Sequence, residues 1–310
     1  MYRLTYDDVT AAASRVAGHV RPVTVAEGDG DVRLALEHLQ HTGSFKARGA
    51  HNFLAAHRDA GTLPAAGVTI ASGGNAGLAC AWAARHQGVP ATVFLPENAP
   101  HVKVAKLRGY GADVRLVGSE YAEALAACEE FAATTGALAS HAYDHPLIAA
   151  GAGTLLEEIR ERVPGLDTVV VAVGGGGLFA GVATAAREHG IRTVAVEPEH
   201  SSALHAAVRA GHVVDVDVDS VAADALGARR VSEAALHAAA DPGVRCVLVP
   251  DGEIVRARRA LWDDRRLVVE HAGATALAAL TGGAYTPADG ERVAVVLCGA
   301  NTDPADLVQR

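Results

Sequence analysis

Thr168-Val169-Val170-Val171-Ala172-Val173-Gly174-Gly175-Gly176-Gly177-Leu178-Phe179-Ala180 decides the fold. Six small apolar or β-branched residues form a strand, four glycines turn the chain, and helical spacing continues from Leu178 to Glu188. A further strand over Arg192–Val196 completes a βαβ unit, which requires a parallel sheet with a helix on its face. A loop free of side chains can aim successive N–H groups at an anion, with the helix dipole adding to the field. The bland alternative is a tight turn that needs small residues only for packing. A stricter competitor is the dinucleotide fingerprint, met by Gly175, Gly177 and Ala180, with Glu197 about twenty residues on as a ribose-binding acid.

Upstream, Val68–Ala71 reads as a strand, Ser72-Gly73-Gly74-Asn75 as a loop, Ala76 to His86 as a helix and Ala91–Leu95 as the next strand. This is a second βαβ unit. A helix over Val102–Leu107, a strand over Val114–Val117 and a helix from Tyr121 to Thr134 extend it. A helix from Thr5 to Ala17, a strand over Val32–Leu36 and a helix from Phe45 to His57 precede it. For that last helix, Thr42-Gly43-Ser44 offers hydroxyl caps. Ala152–Arg162 reads as helical; the chain from Glu197 to Val231 has weak periodicity and reads as an irregular connection. Helices around Ile254–Leu261 and Ala274–Leu280 and a strand over Arg292–Leu297 end the pattern. Ligands are expected at the carboxyl ends of the strands, where both glycine loops fall.

A formal charge of −9 without runs of one sign argues against a nucleic-acid surface or a polybasic membrane patch. Small molecules are the expected partners. Cys80, Cys128, Cys246 and Cys298 lie far apart without CxxC spacing, which suits a reducing, cytoplasmic compartment. Residues Met1 to Asp8 lack a signal-peptide pattern, and no apolar run is long enough to span a bilayer.

Of the 27 basic residues only Lys46, Lys103 and Lys106 are lysines, so chemistry that needs a primary amine has few candidates. Arg cannot replace them, because guanidinium stays protonated. Lys46, between Phe45 and Ala47 in the first turn of a helix, can have its pKa lowered by burial and by the positive helix end. A dinucleotide enzyme has no need of such an amine.

The order Thr42-Gly43-Ser44-Phe45-Lys46-Ala47-Arg48-Gly49, Ser72-Gly73-Gly74-Asn75-Ala76-Gly77, Gly174-Gly175-Gly176-Gly177-Leu178, Cys298-Gly299-Ala300-Asn301 resembles the fold-type II pyridoxal-phosphate (PLP) enzymes. Within them it resembles the serine/threonine dehydratases and their relative serine racemase, over almost the whole chain. The resemblance implies an α/β fold of the tryptophan synthase β type: two three-layer αβα domains with mostly parallel sheets and PLP in the cleft between them. Residues 1–66 and 145–310 would form the large domain and 67–144 the small one. It implies Lys46 as the Schiff-base lysine and base at the α-carbon, Phe45 beside the ring, and Asn75 on the 3′ oxygen. Ser72 and the backbone of Gly73, Gly74, Asn75 and Ala76 would grip the substrate carboxylate. Gly174, Gly175, Gly176, Gly177 and Leu178 would cup the phosphate, Glu270 would lie near the ring, and Cys298 would face the pyridine nitrogen. A neutral thiol there leaves that nitrogen largely unprotonated and weakens the electron sink.

The implied activity is α,β-elimination from L-threonine or L-serine to a 2-oxo acid and ammonia, by a homodimer. Where racemases carry a second-face serine the chain has Gly73, which disfavours racemisation. His271 stands where proline is usual, and no regulatory domain is expected after Asn301. Glu197 matches one ligand of a cation site in relatives, yet the acid expected six residues on is Ala203, so a monovalent or divalent ion is left open. His141 and His145 have i,i+4 spacing, but Asp144 and Pro146 argue against a helix and hence a metal pair there. Hydroxyaspartate, phenylserine or diaminopropionate lyases, threonine synthase-like enzymes, serine racemase, a dinucleotide oxidoreductase and a PLP-binding protein without turnover are the competing readings.

Overall fold

The computed structural model describes residues 3–308; Met1 and Tyr2 of the N-terminal reading lie outside them, as do the outermost ends of the large-domain range. In chain order the elements are α1 (Tyr6–Val16), β1 (Val25–Glu27), β2 (Val32–Ala35), α2 (Lys46–Asp59), β3 (Val68–Ala71), α3 (Asn75–Gln87), β4 (Ala91–Leu95), α4 (His101–Gly109), β5 (Asp113–Leu116), α5 (Tyr121–Thr135) and β6 (Leu138–Ala139). There follow α6 (Pro146–Arg162), β7 (Thr168–Ala172), α7 (Gly177–Glu188), β8 (Arg192–Pro198), α8 (Ala203–Ala210), α9 (Ala223–Leu226), α10 (Glu233–Ala239), β9 (Val244–Val249), α11 (Asp251–Arg265), α12 (His271–Thr281), β10 (Val293–Val296) and α13 (Ala305–Val308).

Two sheets result. The larger runs β1-β2-β10-β7-β8-β9 and is parallel except for the β1–β2 hairpin; the smaller runs β5-β4-β3-β6 and is parallel throughout. β7 and β10 at the centre of the large sheet are buried along their whole length, as continuous Val-rich runs must be when helices cover both faces. One apolar core surrounds this sheet, a second lies against the small one, and a smaller third packs α5 on the small sheet through Ala71, Phe94, Ala124 and Cys128. The Lys46 helix α2 belongs to the second core through Ala47, Ala50, Phe53 and Leu54, and it also packs along α6, which belongs to the first.

The structure departs from the expected elements in four places. β1, β6 and β9 are additional strands, all on or near sheet edges. The stretch expected to be irregular after Glu197 contains α8 and α9. α6 begins at Pro146, with His145 as its N-cap accepting the Leu147 N–H; proline at the first helical position loses no hydrogen bond, because that N–H has no intrahelical acceptor. The Thr42 and Ser44 hydroxyls do not cap α2. Thr42 sits at φ 63° within a 3-10 turn, Phe45 is the N-cap, and both hydroxyl oxygens are buried without a partner.

Candidate active site

Residues 43–45 are stitched to residues 298–300 across the large sheet's carboxyl edge. Phe45 N–H donates to the Cys298 carbonyl at 3.0 Å, Ala300 N–H donates to Gly43 at 2.9 Å, and Ser44 pairs antiparallel with Gly299. This stitching sets the start of α2 and thereby Lys46. Its Nζ donates to the Ala142 carbonyl at 2.6 Å and lies 5.0 Å from the Phe45 ring centroid. Burial pulls the amine down from 10.5 to about 8, against the opposing pull of Cys298 and Glu270. Lys46 is therefore an amine that can be neutral close to physiological pH.

Two residues after Lys46, Arg48 is fully buried between two carboxylates. Nε donates to Glu37 Oε1 at 2.6 Å and Nη2 to Glu37 Oε2 at 3.1 Å, while Nη1 and Nη2 reach Glu158 Oε1 and Oε2 at 2.6 and 3.0 Å. Thr154 Oγ1 accepts a further bond from Nη1 at 3.3 Å. The planar fork thus ties the first turn of α2 to the 3-10 turn at Glu37–Leu39 and to α6.

The glycine loop between β7 and α7 has a steric reason for each residue that faces a neighbour. A Cβ on Gly175 would stand 2.3 Å from the Tyr143 ring, and Gly176 adopts φ +91° as the N-cap of α7. Tyr143 in turn donates from its hydroxyl to the Arg230 carbonyl at 3.0 Å. Residues 142 and 143 therefore run from the Lys46 amine to the glycine loop. Leu178 is buried behind that loop, in the first turn of α7. The first-turn N–H groups of α7 have no helical acceptor, so the loop and helix end form a cradle for an anion.

On the small sheet, Ser72-Gly73-Gly74 leads from β3 into α3, and residues 72–76 are partly exposed. Ser72 Oγ accepts the Gly74 N–H at 3.4 Å, and the N–H groups of the first α3 turn are again without helical partners. A Cβ on Gly73 would lie 2.8 Å from Leu95 Cδ2 and 3.8 Å from Lys103 Cδ, so a leucine methyl and a lysine stem border the place beside it. Asn75 donates from Nδ2 to Glu270 Oε1 at 2.8 Å and accepts on Oδ1 from Asn301 Nδ2 at 2.7 Å. Glu270, the N-cap of α12, is buried, which pushes its carboxyl up against the hydrogen bonds from Asn75 and Asn301. His271 occupies the first position of α12, where proline is also accommodated. Cys298 is buried with Sγ 3.6 Å from the Ala272 carbonyl; burial and Glu270 push its pKa up, so it is a neutral thiol.

The Glu197 carboxylate is engaged by the backbone of α8. Its two oxygens accept the N–H groups of Leu204 and His205 at 2.7 and 2.8 Å, capping α8, and Ala203 brings no second acid. His141 and His145 spend Nδ1 on backbone N–H groups of residues 143, 144 and 147. Among the described residues no cluster of three His, Cys, Asp or Glu could hold a metal ion, and no helix is long and apolar enough to cross a membrane.

The structure brings Phe45, Lys46, Asn75, Glu270 and Cys298 together through the contacts above, with Tyr143 and Ala142 linking Lys46 to Gly175. Sequence reasoning missed Tyr143, Leu95 and the two acids on Arg48. The cradle, the neutral-prone lysine and the Asn75–Glu270 pair fit a phosphorylated aldehyde: an anion to hold, a carbonyl for an amine and a polar ring to pair. Parallel sheets that meet at such a cleft define a fold-type II PLP enzyme.

Comparison with known proteins agrees. The model of the family "Pyridoxal-phosphate dependent enzyme" matches residues 22–299, and the chain belongs to that family, in its serine/threonine dehydratase group. It is 40% identical to an L-threonine ammonia-lyase of Geobacter sulfurreducens over 86% of this chain, spanning 66% of that relative's length. It is 37% identical to a serine dehydratase-like protein of Rattus norvegicus over 90% of this chain and 87% of the other. The solved structure of maize serine racemase superposes with a TM-score of 0.91 at 28% identity, covering 99% of this chain and 96% of that one.

Proposed function

We propose that the chain is an ammonia-lyase that removes the β-hydroxyl and the amino group from L-threonine or L-serine, giving a 2-oxo acid and ammonia. The observation that carries this reading is the pairing of one near-neutral amine, Lys46, with Gly73, which has no side chain to act as a second acid or base. The names of the two curated relatives point the same way.

PLP, when bound, withdraws electrons from the substrate's α-carbon so that its proton becomes removable. Lys46 Nζ would hold the cofactor at rest and then take the α-proton on one face. The cradle from Gly174 to Leu178 would hold the phosphate by backbone N–H groups, Phe45 would lie beside the ring, and Asn75 and Glu270 would pair with its polar edge. Cys298, as a neutral thiol, would meet the pyridine nitrogen without delivering a full positive charge. The backbone of Ser72 to Ala76 would hold the substrate carboxylate at the positive end of α3.

With no side chain at Gly73 to return a proton from the other face, a proton taken by Lys46 would be returned on the same face or not at all. Loss of the β-hydroxyl is then favoured over inversion. We read residues 67–144 as the small domain and the remainder as the large one, the protein as a cytoplasmic homodimer, and its reaction as needing no divalent ion at Glu197. The test is an absorbance spectrum of purified, PLP-loaded protein during addition of L-serine, L-threonine and D-serine, with 2-oxo acid release followed in parallel. A visible band that responds to the L-amino acids together with 2-oxo acid release is expected. Interconversion of D- and L-serine with little 2-oxo acid would overturn the reading.

A further inference from the structure

We propose that Asn301 is a positioning residue that fixes which end of the Asn75 amide faces the cofactor. The inference rests on the reading of Asn75 as a cofactor partner. It adds a residue whose side chain is held by the Thr42 carbonyl and reaches the site through Asn75.

The argument starts from a group with no choice. A backbone carbonyl only accepts hydrogen bonds, and the Thr42 carbonyl lies 2.7 Å from the Asn301 amide. The end of that amide facing Thr42 must therefore be Nδ2. Its second hydrogen goes to the Asn75 side chain at 2.7 Å, so the atom of Asn75 that receives it must be Oδ1. The other end of Asn75 is then Nδ2, which donates one hydrogen to Glu270 Oε1 at 2.8 Å. Glu270 is itself oriented from the far side, because the Asn301 backbone N–H donates to Oε2 at 3.2 Å. The polarity of both amides is thus dictated by one carbonyl. What the Nδ2 end of Asn75 has left to offer is its second hydrogen, a donor.

Rotating the Asn75 amide by half a turn would put Oδ1 against the Glu270 carboxylate and present an acceptor to the cleft. An electron-rich ring oxygen of the cofactor would be repelled by it. Asn301 prevents that rotation. Thr42 can aim its carbonyl at Asn301 because it adopts φ 63°, a conformation rare for a β-branched residue. The strained turn just ahead of Lys46 and the asparagine three residues after Cys298 therefore serve one end.

The test is a double-mutant cycle on cofactor affinity, measured by the visible absorbance of protein equilibrated with PLP, with no substrate present. Asn301→Ala is expected to weaken PLP binding about tenfold in the natural chain, the scale of one hydrogen bond to a charged group. In an Asn75→Ala background it is expected to have no further effect. The visible band of Asn301→Ala is expected to titrate at higher pH than that of the unaltered protein. Thermal unfolding of each cofactor-free variant separates a folding defect from a binding one, and Asn301→Ser serves as the milder substitution. Losses that add in the double variant overturn the proposal while leaving Asn75 as a cofactor partner. An Asn75→Ala protein that binds PLP as tightly as the natural chain overturns both.

Discussion

Arg48 and Glu158 form a bidentate pair at 2.6 and 3.0 Å in which the guanidinium is wholly buried and already shared with Glu37. Arg48→Met removes the cation that two carboxylates share, one of them, Glu37, fully buried. The expected cost is about 3–5 kcal/mol, the scale of breaking a buried ion pair from one side. Arg48→Lys is expected to recover little, since an ammonium cannot supply two parallel forks. Urea unfolding of the cofactor-free proteins measures both, and a cost under 1 kcal/mol for Arg48→Met refutes the clamp.

Lys46 gives a pH dependence of definite sign. Its amine is lowered from 10.5 to about 8, so the neutral, nucleophilic form grows as pH rises through about 8. The rate at which cofactor-free protein captures added PLP is expected to rise across that range and level off above it. The unfolded chain keeps its proton until about 10.5, so this group also makes stability rise with pH between about 8 and 10.5. Stopped-flow absorbance at a series of pH values checks the first expectation. Lys46→Ala is expected to lose the coloured adduct and turnover while folding normally.

The contact between Gly175 and the Tyr143 ring predicts a compensating pair. Gly175→Ala places a methyl group 2.3 Å from the ring and is expected to cost about 1–3 kcal/mol in stability, with a matching loss of phosphate affinity. Adding Tyr143→Ala opens the space and should restore a large part of the affinity. Titration with inorganic phosphate and with PLP reads both variants; no recovery in the double variant means that the ring is not the obstacle.

His51 predicts an acid limit. It is 1% exposed, its Nε2 has no partner, and its pKa is pushed to about 4 by burial and by His19, His86 and Arg58. The His19 ring stacks on it at 4.7 Å, and Trp82 and His86 from α3 lie within 6.1 Å between ring centroids. In the unfolded chain the imidazole takes a proton below about 6.5, whereas the folded chain resists until about 4. Stability is therefore lost as pH falls from 6.5 towards 4. His51→Phe is expected to flatten that limb, as measured by melting temperature against pH, with the neutral-pH value changed far less.

The alternation of Val-rich strands with Ala-rich helices was legible because continuous apolar runs beside glycine loops leave few other folds. β9 was not, since it lies at the sheet edge with only Val247 and Val249 fully buried. α8 escaped notice because its start is capped by the distant Glu197 carboxylate and not by a local residue. The expected caps at Thr42 and Ser44 failed for a related reason: the positive φ at Thr42 serves Asn301, which sequence places 259 residues away. Lys46, Asn75, the tetraglycine loop and Cys298 could be named from their motifs. The Ala142 and Tyr143 contacts and the bond from Asn301 to Asn75 join residues far apart in sequence and arise only in the folded chain.

The double membership of α2 has a practical side. Its Ala47, Ala50 and Phe53 face belongs to the small sheet's core, while Gly49 lets it lie against Ile148 at the start of α6. A chimera that grafts residues 67–144 from a relative would inherit the reactive lysine from one parent and much of its bed from the other. Exchanges of that segment should carry the inward face of α2 along with it, or the graft will fold around a helix cut for a different groove.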